Sequence, residues 1–101
     1  FLDSAASAQK PRQVISAMVN CMETAYANVH RGAYRLSEQA TDAYEAARAE
    51  VARFLGAGDA REVVFTRNST EAINLVAHSY GRGVMRPDRA VLISEMEHHA
   101  N

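Results

Sequence analysis

A single cysteine, Cys21, stands in the 101 residues. That excludes an internal disulfide framework and any cysteine-based metal cluster, and a reducing, cytoplasmic setting is the expectation. No apolar run approaches membrane-spanning length. No basic, apolar and small-residue leader opens the chain, so no export signal is expected. Neither sign of charge dominates: eleven Lys and Arg face twelve Asp and Glu, for a net charge of −1. The basic residues are scattered, and Arg82, Arg86 and Arg89 form the longest cluster. Nucleic acid or an acidic membrane surface is therefore not expected as the main partner. Repeats and low-complexity tracts are absent. Lysine is almost absent as well, Lys10 being the only one.

What is present is ordinary for a globular protein: 48% hydrophobic and 23% charged residues, enough apolar side chains for a core and too many for disorder. The length suits one small domain or a piece of a larger one. Neither Phe1 nor Asn101 reads as a natural terminus, so a fragment of a longer protein is expected.

The hydrophobic period predicts the elements. Phe1, Leu2 and Asp3 read as an extended entry into a loop of small residues. Pro11 suits a first helical turn. Val14, Ile15, Met18, Val19, Met22 and Tyr26 then recur at helical spacing, predicting a helix over 11–26. Residues 28–32 break that period as a loop. Ser37 is a candidate N-cap for a second helix reaching 55. Its stripe would be Ala40, Ala43, Tyr44, Ala47, Val51, Phe54 and Leu55, with Gly56 and Gly58 as the stop. Residues 63–66 and 90–94 are continuous apolar runs and predict buried strands. Between them, 71–80 reads as a helix closed by Gly81, followed by a loop over 82–89. The order helix, helix, strand, helix, strand fits the opening of an α/β layered fold.

Three places could carry chemistry. Ser69 and Thr70 sit at a helix start after a predicted strand, where unpaired N–H groups and a partial positive charge suit a phosphate. Plain capping by either hydroxyl explains them equally well, and the glycine pattern of the common nucleotide loops is missing. Glu95, Glu97, His98 and His99 follow the second strand. Adjacent histidines on an extended segment point to opposite sides and make a poor metal chelate. His30 and Arg31 form a loop pair that could bind an anion or simply face solvent. Arg67 and Glu71 are spaced for a modest surface ion pair. Cys21 reads as a packed small residue, and His78 as structural or solvent-facing.

Taken together, Leu2-Asp3-Ser4-Ala5-Ala6-Ser7, Asn28-Val29-His30-Arg31-Gly32, the run from Val64 to Val76 containing Arg67-Asn68-Ser69-Thr70-Glu71, and Glu97-His98-His99-Ala100-Asn101 resemble the N-terminal quarter of the class V aminotransferases. These are enzymes that use pyridoxal 5'-phosphate (PLP). Within that group the stretches are most similar to the Suf-type cysteine desulfurases, also described as selenocysteine lyases. The resemblance covers essentially all of this chain and a minority of the family's length.

It implies an α/β fold: 1–60 would be an N-terminal helical segment, and 61–101 the first strands of a large PLP-binding domain. It implies that Ser69 and Thr70 hold the cofactor phosphate. His98 would stack on the cofactor ring near the transferring protons, and face the same cleft as Thr70 with His99 turned away. Ala5, Ala6, His30 and Arg31 would line the substrate side, and no metal is implied. The activity implied is removal of sulfur from L-cysteine, leaving L-alanine and an enzyme persulfide for iron–sulfur cluster assembly, with selenocysteine lyase as an alternative. A homodimer and a sulfur-acceptor protein are the implied partners. Ser69 stands where the family often has Thr or Ala, and Arg86-Pro87-Asp88-Arg89 replaces its usual Gly-Asp turn. Lys10 does not match the lysine that tethers the cofactor, nor Cys21 the persulfide nucleophile, so this chain alone should be inactive. Another reaction of the same family, an epimerase or a kynureninase-like cleavage, and a non-catalytic helical dimerisation module are the alternatives.

Overall fold

A computed structural model describes residues 2–100. Three helices carry it. The chain divides after Val63 into two units.

In the first unit, Pro11 stands immediately before α1, Arg12–Thr24, and its carbonyl accepts the N–H groups of Val14 and Ile15. The apolar period is real, but α1 buries none of it: Val14, Ile15, Met18 and Met22 are all at least 45% exposed.

The second helix, α2, spans Arg35–Leu55. It begins before Ser37, so the expected Ser37 cap is corrected: Tyr34 is the N-cap, with extended backbone. Ser37 lies inside the first turn and is fully buried. Its hydroxyl serves the preceding loop instead of the helix end. The stop is as expected. Gly56 takes φ 72°, a left-handed conformation that costs glycine little, and Ala57 N–H reaches back to the Ala52 carbonyl. The expected stripe is corrected: none of its residues is buried, Ala40, Tyr44 and Val51 being half-buried and Ala43, Ala47, Phe54 and Leu55 exposed, while the buried apolar residue of α2 is Ala52, outside the stripe. A 3₁₀ turn, Ala60–Glu62, follows. Asp59 caps it and pairs with Arg61, whose bonds hold the Asp59 carboxyl below its usual range.

In the second unit, α3 spans Ser69–Val76. It does not stop at Gly81. It widens into a π-type turn, Ala77–Gly81, and runs on through Arg82–Val84. Gly81 sits at φ −55°, ψ −48°, ordinary helical geometry, so glycine here permits continuation and does not force a stop. Arg82 meets His78 Nδ1 at 3.2 Å across one turn, and the loop begins only at Met85.

The strands are the main correction. Among the described residues no strand forms, at 63–66 or at 90–94. The β-branched composition of both runs is genuine, but a strand exists only where a neighbour completes its backbone ladder. Helical structure is what these residues close by themselves, because each helix satisfies its own N–H and C=O groups.

Candidate functional site

The start of α3 is built by three residues before it. Asn68 is the N-cap, with extended backbone, and its Oδ1 accepts the Glu71 N–H at 2.9 Å. Neither Ser69 nor Thr70 does this work, so the capping alternative for those two hydroxyls is corrected. Glu71 then reaches back: its Oε2 accepts the Arg67 N–H at 2.7 Å, and its two oxygens take the guanidinium at 3.1–3.2 Å. Thr66 donates its hydroxyl to the Asn68 carbonyl. The turn from 66 to 71 is thereby cross-braced from outside the helix.

That bracing leaves one set of donors unused. The N–H groups of Ser69 and Thr70 and both their hydroxyls make no hydrogen bond within the described residues, and both side chains are exposed. Four donors at a helix N-terminus, with a neutral cap and Glu71 turned onto Arg67, are an arrangement of the kind that suits an anion. The Arg67 guanidinium and, after it, the Arg67 backbone N–H hold the Glu71 carboxyl below the ordinary glutamate range. A depressed carboxylate stabilises the braced turn fully above about pH 4.5 and loses that contribution as pH falls through its lowered value. Carbon-13 carboxyl titration should find Glu71 below ordinary glutamates, and Arg67→Ala should return it to their range.

At 95–100 the chain runs in turns. His98 and His99 were expected on opposite sides. Their rings instead lie against each other, centroids 3.9 Å apart and tilted 38°, because turn geometry does not alternate side chains as an extended segment does. Ala100 N–H donates to His98 Nδ1 at 3.2 Å, which puts the proton of the neutral ring on Nε2. Asn101, the last residue of that motif, lies outside the described residues, as does Phe1.

The remaining candidates belong to the first unit. Ala5 and Ala6 lie in an exposed turn whose Asp3 carbonyl accepts the N–H groups of Ala6 and Ser7. His30 and Arg31 lie in the loop before α2. His30 Nε2 is 2.9 Å from Glu45 Oε1, and its ring meets Tyr44 edge-on at 5.9 Å. Glu45 also faces Arg48 Nε at 3.5 Å, and the Arg48 guanidinium lies 5.2 Å over the Tyr44 ring. Sequence reasoning missed Ser37, Thr41 and Asn68 as builders of these sites. The signals were there: Ser37 and Thr41 are one helical turn apart beside a Gly-containing loop, and Asn68 is three residues before Glu71. Among the described residues no group of His, Cys, Asp and Glu is placed to hold a metal ion.

Known proteins are similar to this sequence. A cysteine desulfurase of Pectobacterium atrosepticum is 56% identical over 101 residues, all of this chain and 25% of its own length. A probable cysteine desulfurase of Synechocystis is 52% identical over the same span, 24% of its length, and a cysteine desulfurase of Yersinia pestis is 52% identical over 25% of its length. The chain thus spans about a quarter of the length of the curated relatives it matches. The family model for Aminotransferase class-V matches residues 1–101, and the chain belongs to that family.

Proposed function

We propose that this segment works as the N-terminal quarter of a PLP-dependent cysteine desulfurase of the Suf type. The reaction takes L-cysteine to L-alanine and leaves the sulfur as an enzyme persulfide for iron–sulfur cluster assembly. The observation that carries the reading is the start of α3, where the N–H groups and hydroxyls of Ser69 and Thr70 are left unbonded. That donor set suits a phosphate dianion, which needs several N–H and O–H donors and a positive local field. That the relatives are named cysteine desulfurases supports the substrate.

In this reading Ser69 and Thr70 hold the phosphate of PLP, and Asn68, Arg67 and Glu71 keep their turn in shape. PLP, when bound, supplies an electron sink that weakens bonds at the substrate Cα. His98 would stack on the cofactor ring and hold a proton at Nε2 near the reacting carbon. Ala5 and Ala6 leave room for substrate, and His30 and Arg31 line its approach. Lys10 donates its ammonium to the Ala8 carbonyl ahead of α1. The tethering lysine, the persulfide cysteine and the arginine for the substrate carboxylate would come from sequence outside these 101 residues. A homodimer, a sulfur-acceptor protein and a cytoplasmic setting complete the proposal.

The test is product analysis of the purified longer protein carrying this segment, loaded with PLP and given L-cysteine, L-selenocysteine and other amino acids. L-Alanine should appear from L-cysteine, matched by sulfur on the enzyme. Release of a keto acid with no alanine would assign the segment to a different class V reaction.

A further inference from the structure

The loop of residues 28–32 is held far more firmly than a solvent-facing turn requires. Ser37 is fully buried, and its hydroxyl ties both ends of the loop. It donates to the Asn28 carbonyl at 2.6 Å and accepts the Gly32 N–H at 2.9 Å. Gly32 is packed so closely that an added Cβ would collide with the Tyr34 ring and lie 2.6 Å from Ser37 Cβ. Thr41, one turn further along α2, donates its hydroxyl to the Ser37 carbonyl at 2.7 Å and accepts the His30 N–H at 3.0 Å.

His30 sits at φ 61°, the one non-glycine residue with positive φ among those described. Positive φ is uncommon outside glycine, though histidine adopts it more readily than most residues, and such residues cluster at functional sites. Here the groups that hold it are the Thr41 hydroxyl on its N–H, Glu45 on its Nε2 and the Tyr44 ring on its edge. Arg31, the next residue, is exposed and makes no hydrogen bond or ion pair within the described residues. One side chain of the pair is locked, and its neighbour is left to meet an anionic substrate.

We propose that Ser37 and Thr41 are positioning residues, which hold the 28–32 loop so that His30 and Arg31 stand ready for the substrate. The proposal rests on the desulfurase reading, which puts those two residues at the mouth of the site. Neither hydroxyl touches substrate in this account. Each acts through the loop, so its loss should change how substrate is met and not how cofactor is held.

The experiment uses the full holoenzyme with Ser37→Ala, Thr41→Val and Thr41→Ser. Thr41 is half-buried, so its variants decide the matter if Ser37→Ala fails to fold. Thr41→Val should raise KM for L-cysteine about tenfold and leave kcat within about twofold, the pattern of lost ground-state positioning. Bound PLP per subunit and the melting temperature should match wild type. Thr41→Ser keeps the hydroxyl and should restore the wild-type KM. An unchanged KM in Thr41→Val would overturn the proposal. So would a loss of activity that tracks loss of PLP. If the wild-type holoenzyme itself makes no alanine from L-cysteine, the desulfurase reading fails and the proposal with it. That result is distinguishable because the control carries no substitution.

Discussion

Purified alone, the 101-residue chain is expected to elute as oligomers or aggregates and to melt without a sharp, reversible transition. Only Ala52 and Val63 are buried apolar residues among those described, while Phe54 is 88%, Met96 96% and Leu92 97% exposed. An open groove of about 690 Å³ along α3, lined by Ile73, Val76, Ala77, Tyr80, Val91 and Ile93, faces solvent. Burying one large apolar side chain stabilises a fold by about 1.5–3 kcal/mol, against a net domain stability of about 5–15 kcal/mol. A handful of such side chains left in water therefore equals the whole margin. The runs at 63–66 and 90–94, which form no strand among the described residues, add apolar β-branched segments that recruit strands from other chains. Light scattering coupled to gel filtration checks this. A concentration-independent monomer with a steep, reversible melt would show that the segment is a domain in its own right. The same sample, mixed with PLP and dialysed, should keep no visible absorption band at a cofactor-facing lysine. Any residual band should map to Lys10 or the N-terminal amine.

The second large effect concerns the anion seat. Ser69→Ala combined with Thr70→Val in the holoenzyme should weaken PLP retention by roughly a hundredfold or more, because two hydrogen bonds to a charged group contribute about 1.5–3 kcal/mol each and every 1.4 kcal/mol is tenfold. The fold should be untouched, since neither hydroxyl bonds to the protein and Asn68 keeps the cap. His98→Ala should do the reverse, reducing turnover more than PLP retention. Equilibrium dialysis of PLP against each variant separates the two. Wild-type retention in the double variant would remove Ser69 and Thr70 from the site.

Much of the helical structure was legible because helices are local. The Val14 to Met22 period, the Gly56 stop and the Arg67–Glu71 pair are written in spacing alone, and the structure has all three. Ser37 was misread because a serine before an apolar stripe is chemically a good cap. Only the folded loop shows that its oxygen is claimed by Asn28 and Gly32. Asn68 was overlooked beside two hydroxyl residues that are equally plausible caps. The strands at 63–66 and 90–94 were inferred from composition, which reports a preference for burial but supplies no partner. A ladder is a property of two segments, and among the described residues the second segment is missing. Family resemblance proposes Ser69, Thr70 and His98 through sequence order alone. The neutral cap and the unbonded donors at α3 are the physical reason that an anion would sit there.

Amide hydrogen exchange on the holoenzyme, with and without PLP, tests the central claim most directly. If the first turn of α3 is the phosphate seat, the amides of Ser69 and Thr70 exchange fast without PLP and become protected when it binds. Glu71, already bonded to Asn68, should change little, and the amides of α1 not at all. Stoichiometric PLP binding with no added protection at Ser69 and Thr70 would contradict the account.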